Sequence, residues 1–148
     1  MKKLTTIVTA IAIFFSTVAF ASGIDPVSTE VKTAFLKKFS TAESVSWKKN
    51  GDLYFASFQV NQNSFFAAYN EKAELVALSR NIQLSQLPLQ LSQALAERYS
   101  SYTLSRDVTE MVLEGETSYY LNAESKDKTL QLKGKASGDI EVVSKTKK

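Results

Sequence analysis

The 148-residue sequence contains no cysteine and no histidine, and only five glycines and two prolines. Without cysteine no disulfide can hold the fold, so burial of side chains must suffice, and a thiol nucleophile is excluded. Without histidine a serine or threonine lacks its usual general base, and zinc sites built of His and Cys are ruled out. A Ser–Lys arrangement stays formally open, but no spacing singles one out. The five glycines are scattered and form no phosphate-cradling loop. Two groups of carboxylates remain. Asn122, Glu124 and Asp127 surround one turn, but Lys126 and Lys128 interleave with them and would repel a hard cation. Glu110, Glu114 and Glu116 crowd near another turn, with no apolar surroundings to raise the pKa of one member. The sequence therefore assigns no catalytic, metal-binding or cofactor-binding residue, and the chain is expected not to be an enzyme.

Long apolar runs are also scarce, and the only one lies at the start. Lys2 and Lys3 precede an uncharged stretch from Leu4 to Phe20, which ends in Ala19-Phe20-Ala21. Positive start, apolar middle and small-x-small ending are the three parts of a cleavable export signal, here residues 1–21. With no cysteine after the run, a thioether-linked lipid anchor is excluded. A domain spanning 22–148 is expected to be released into the periplasm or outside the cell, with no membrane contact after cleavage. Removing the leader takes two of 18 basic residues and none of 15 acidic ones, leaving 16 against 15. This near-neutral balance removes the main support for a nucleic-acid partner.

What is present is a pattern that occurs twice. Val27, Val31, Ala34, Phe35 and Phe39 follow helical spacing, and Leu87, Leu91, Ala94, Leu95 and Tyr99 repeat it at an offset of 60. Asp25 and Ser85 stand where N-cap oxygens are useful, and Pro26 and Pro88 fall in the first turns. After each helix the sequence alternates strand-like stretches with turn signals. In the first half these are Val45–Lys49, the hairpin signal Asn50-Gly51, Asp52–Val60, a turn at Asn61-Gln62-Asn63, Ser64–Tyr69 and Glu74–Ser79. In the second they are Tyr102–Leu113, a turn at Glu114-Gly115, Glu116–Glu124, Lys128–Lys133 and Asp139–Ser144. The later turns are offset by 64 to 65, so the second half carries a few extra residues after its helix. The expected fold class is α+β: a tandem repeat, about 24–80 and 84–145, of one helix followed by four antiparallel strands, both helices on one face of the sheet.

The residues Val31-x-x-Ala34-Phe35-x-x-x-Phe39, Val45-x-Trp47, Tyr54-x-Ala56-x-Phe58 and Ala68-Tyr69 resemble the PepSY-like, or β-lactamase-inhibitor-like, periplasmic proteins of Bacteroidetes. Leu87-Pro88 and the helix ending at Tyr99 fit the same pattern. The chain departs from it at Ser40, where many relatives have proline, and at Asn63, where a turn glycine is usual. The resemblance implies an exported α+β domain of a family whose members mostly lack an assigned activity; similar folds in named inhibitors bind an enzyme through a sheet surface and loops, which supplies an analogy for function.

One further pattern bears on function. Leu53 and Phe55 alternate with Tyr54, Ala56 and Phe58, and Phe65 points opposite to Phe66, so both faces of the first sheet carry large apolar groups. A single helix covers one face only. The other is either covered by the chain's own loops or its second half, with Leu53 and Phe55 at the rim, or left to bind a protein or peptide through Trp47, Leu53, Phe55 and one of Phe65 or Phe66, since exposed apolar patches mark interaction sites. Inhibition of a periplasmic hydrolase or peptidase, or a structural homodimer, are the alternatives.

Overall fold

The computed structural model describes residues 27–148. The expected export signal, Asp25 and Pro26 lie outside the described residues. Helix α1 spans Thr29–Lys38 and is followed by strands β1 (Glu43–Asn50), β2 (Leu53–Val60), β3 (Asn63–Asn70) and β4 (Leu75–Gln83). A 3-10 turn, Leu84–Gln86, leads into helix α2 (Leu89–Arg98). The chain then forms β5 (Thr103–Leu104), β6 (Asp107–Leu113), β7 (Glu116–Glu124), β8 (Lys128–Gly134) and β9 (Ile140–Lys147). All strands join one antiparallel sheet in the order β1-β2-β3-β4-β6-β7-β8-β9, with β5 pairing β7 in line with β6.

Short connections force this topology, because two-residue loops can only return a strand beside its predecessor. Asn61 and Gln62 both take positive φ, at 50° and 65°, as do Glu114 and Gly115, at 51° and 86°. Left-handed φ at both loop residues matches the twist of a two-residue hairpin. At Asn50-Gly51 the turn sits one residue later than the sequence signal suggests: Asn50 pairs with Leu53, and only Gly51 has positive φ. The expected single strand from Tyr102 to Leu113 is broken at Ser105-Arg106, where the Ser105 hydroxyl turns back to donate to the Asp107 carbonyl.

Helix capping also differs from the sequence expectation. Ser28 caps α1 by accepting from the Val31 amide at 3.3 Å. Ser85 does not cap α2. It lies inside the 3-10 turn, whose own box is closed by the Gln86 side chain accepting from the Gln83 amide. Pro88 occupies the N-cap position of α2, where its missing N–H leaves no donor unmatched.

The apolar stripes of both helices pack on the same side of the sheet. Val31 and Phe35 of α1 are buried among Tyr54, Ala56, Phe58, Ala67 and Tyr69. Leu91 and Leu95 of α2 are buried among Val108, Leu121, Ala123, Leu130 and Leu132. Cross-strand register links these sets, because Leu78 opposes Ala67 and Val112, Ile82 opposes Val108, and Leu121 opposes Leu132. Between the helices the same face carries Arg80, Glu110 and Tyr119. The Glu110 carboxylate accepts from the Arg80 guanidinium and from the Tyr119 hydroxyl, and burial followed by that carboxylate raises the Tyr119 pKa above the usual phenol value.

One glycine sets how closely α2 approaches. A Cβ on Gly134 would lie 2.6 Å from Leu91 Cδ1 and 2.8 Å from Cδ2, so its bare Cα is the floor on which Leu91 rests.

An open apolar sheet face

No described helix lies on the opposite face of the sheet, and there the strands bring together a second apolar cluster. Three rows of directly opposed residues cross it. The first runs Lys48, Phe55, Ala68, Ala77, Leu113 and Glu116, from β1 to β7. The second runs Ser46, Ser57, Phe66, Ser79, Met111 and Ser118. The third runs Asn81, Thr109, Tyr120, Lys133 and Glu141.

Ala68, Ala77 and Met111 are only 3%, 6% and 5% exposed, as deeply placed as the residues under the helices. Ser79 and Ser118 are buried beside them. Their cover comes from half-buried neighbours in the same sheet, Phe55, Val76, Leu113 and Tyr120. Small side chains thus form a floor and large ones a rim. Each large rim group removes its own area and its neighbour's from water, which is the favourable term. Polar pairs flank the patch at one end: Thr109 donates to Asn81 and Gln83 to Asp107, both at 3.3 Å. Tyr120 has a raised pKa, first through burial and then through the facing Glu141 carboxylate.

The five aromatic and aliphatic residues singled out from sequence are divided between the two faces. Leu53, Phe55 and Phe66 lie on the open side. Trp47 does not, because it opposes Ala56 and packs edge-on against Phe35 with ring centroids 5.1 Å apart. Phe65 opposes Phe58 and stacks on it at 5.7 Å, on the helix side. Conversely, Ala68, Ala77, Met111, Leu113 and Tyr120 were not singled out. The second half of the sheet supplies three of these five. The readable signal was in β6, where Met111 and Leu113 alternate with Val108 and Val112, giving that strand apolar groups on both faces.

The carboxylate groups noted above do not assemble. Glu110 and Glu116 sit on opposite faces of the sheet, the second pairing with Lys135 at 3.7 Å. Glu124 is held by Lys148 at 3.0 Å. Among the described residues no three carboxylates converge on a metal position, and no helix is long and apolar enough to cross a membrane.

Three solved structures share this arrangement. A BLIP-like protein from Bacteroides fragilis superposes with a TM-score of 0.71 at 19% identity, covering 85% of this chain and 89% of that one. A DUF2874 family protein from Bacteroides uniformis gives 0.70 at 18%, covering 82% and 89%. A protein from Bacteroides eggerthii described as periplasmic gives 0.70 at 20%, covering 83% and 90%. The chain has the BLIP-like fold of these Bacteroides proteins. By sequence, no family model and no curated protein matches it. Among the described residues both helices back one face of the sheet, and the other face carries strand side chains. None of the three neighbours is described by an enzymatic activity.

Proposed function

We propose that the chain is an exported, non-catalytic binding module that docks a protein or peptide on the open sheet face. One observation carries this reading: an apolar cluster of Phe55, Met111, Leu113 and Tyr120, with Phe66 in the adjoining row of the same face, and no helix over it among the described residues. Contiguous apolar surface of this kind marks interaction sites, and aromatic side chains supply most of the energy where partners dock. The docking residues are Leu53, Phe55 and Phe66 with Met111, Leu113 and Tyr120. The patch thus extends beyond the first half of the sheet. Residues 1–21 act as the export signal, and the neighbour described as periplasmic supports the same compartment. The matched order of helix and strands in the two halves supports an origin by duplication.

Pull-down from the envelope of the producing cell tests the reading. The mature chain captures a partner, and Phe55→Ser weakens that capture while the melting temperature changes far less than for a residue under α1. Capture unaffected by Phe55→Ser and by Phe66→Ser removes the proposal. A second reading, inhibition of a periplasmic hydrolase or peptidase through the same face, draws support from the likeness to the BLIP-like protein. Such an interface would bury about 1,600 Å² in total. Hydrolase assays with and without the purified chain distinguish inhibition from passive binding.

A further inference from the structure

The connection from α1 to β1 takes four residues, 39–42, whereas that from α2 to β6 takes eight, 99–106. The longer connection contains β5 and the break at Ser105-Arg106, and beside it lies a pocket of about 510 Å³. Its apolar wall is made by Leu84 of the 3-10 turn, Leu95 and Ala96 of α2, and Leu104 of β5. Gln83, Ser85 and Ser92 line it too, and among the described residues Arg106 is the only charged one that does. The Arg106 carbonyl accepts from the Leu84 amide at 2.8 Å, which pins the arginine backbone to the pocket wall. Among the described residues Arg106 makes no ion pair, whereas Arg80 is taken up by Glu110.

We infer that this pocket is a binding site for a small amphiphilic carboxylate, an unbranched aliphatic acid of about six to ten carbons. The volume falls within the range of small-molecule sites, roughly 300–1,000 Å³. The aliphatic side chains form one wall of this open pocket and suit a flexible alkyl tail. The lone guanidinium fits a carboxylate head, which it can hold through two parallel N–H···O bonds. A neutral or cationic head leaves that charge unmatched. The pocket is separate from the open sheet face, since α2 lies on the other side of the sheet.

The test is titration of the full chain with octanoate, followed by amide NMR shifts. Saturable shifts clustered at Leu84, Leu95, Leu104 and Arg106 support the site. Octanol then binds about tenfold more weakly than octanoate, as expected for loss of one charge-assisted contact at a partly exposed position. Arg106→Gln abolishes that preference while leaving octanol binding unchanged. Ala96→Trp, which fills the pocket from an exposed helix position, abolishes both. Shifts confined to Phe55, Phe66 and Tyr120, octanol binding as tightly as octanoate, or no saturation at millimolar concentration each overturn the proposal. So does binding only of a peptide with an apolar C-terminal residue. Partner capture is measured on Phe55 variants and this site on Arg106 and Ala96 variants, so the two readings fail separately.

Discussion

Phe35 and Phe55 form a matched pair for measuring what each face of the sheet contributes. Phe35 is 1% exposed, with ring centroids 5.3 Å from Phe39, 5.1 Å from Trp47, 4.9 Å from Phe58 and 6.4 Å from Tyr69. Truncation to alanine removes the ring's transfer energy and leaves a cavity framed by four other rings, which cannot all move inward. A loss of about 3–5 kcal/mol follows, the usual cost of Phe→Ala in a packed core. Phe55 is half-buried against small neighbours on a face without a described helix, and no packed layer among the described residues frames the space its ring leaves. Only the transfer term applies, so Phe55→Ala costs about 1–2 kcal/mol. For a domain of this size 1 kcal/mol moves the melting temperature by about 3–5 °C. Phe35→Ala is therefore expected to lower it by about 9–25 °C and Phe55→Ala by about 3–10 °C. Urea titration with a common m-value checks both numbers. Equal losses for the two variants would mean that Phe55 sits in a closed core, and the reasoning about the open face would be refuted.

Two glycines are expected to resist alanine for different reasons. Gly134→Ala drives a methyl into Leu91 and costs about 1–3 kcal/mol, whereas Gly115→Ala meets open space but strains a φ of +86° and costs about 1 kcal/mol. Leu91→Ala in the same chain relieves the first penalty and leaves the second unchanged, which a double-mutant cycle measures. Gln62→Gly removes the left-handed strain at φ 65° and raises stability by about 0.5–1 kcal/mol, visible as a higher urea midpoint. The Tyr69 hydroxyl is buried without a hydrogen-bond partner among the described residues, and burial raises its pKa above 10.0. Tyr69→Phe is therefore neutral or stabilising at pH 7. In the unmodified chain the raised folded-state pKa means that the unfolded chain loses this proton first. The contribution is complete below pH 10, and stability falls as pH rises beyond it. Tyr69→Phe flattens that alkaline decline, and urea midpoints at pH 8 and pH 10.5 measure it.

Helix stripes and hairpin turns were legible because each is local. The spacing of Val31 and Phe35, or of Leu91 and Leu95, depends only on the helical period, and the Glu114-Gly115 loop only on left-handed φ. The face on which Trp47 falls was not legible in the same way. It depends on cross-strand register, and β1 shifts register between Glu43 and Ser46. A one-residue slip exchanges the two faces of a strand. The break at Ser105-Arg106 was hidden because it changes no apolar period. Its only trace was the drift of the offset from 60 to 64 across the second helix and the strand after it.

The same dependence on register explains why the open patch crosses the middle of the sheet. β4 and β6 join the two halves through seven residue pairs from Ala77–Leu113 to Gln83–Asp107. Whichever residues of β4 face the helices, their β6 partners must face them too, so Ser79 and Ala77 bring Met111 and Leu113 onto the open side. A patch begun by Phe55 and Phe66 cannot stop at the junction unless β6 is polar on that face, and Met111 and Leu113 keep it apolar. Replacing both with threonine would introduce β-branched strand formers that are polar and cut the patch in two. If docking needs the whole face, this double variant loses partner capture as completely as Phe55→Ser. If the first half suffices, as the alternation of β2 and β3 alone would suggest, capture survives, and the binding surface ends at β4.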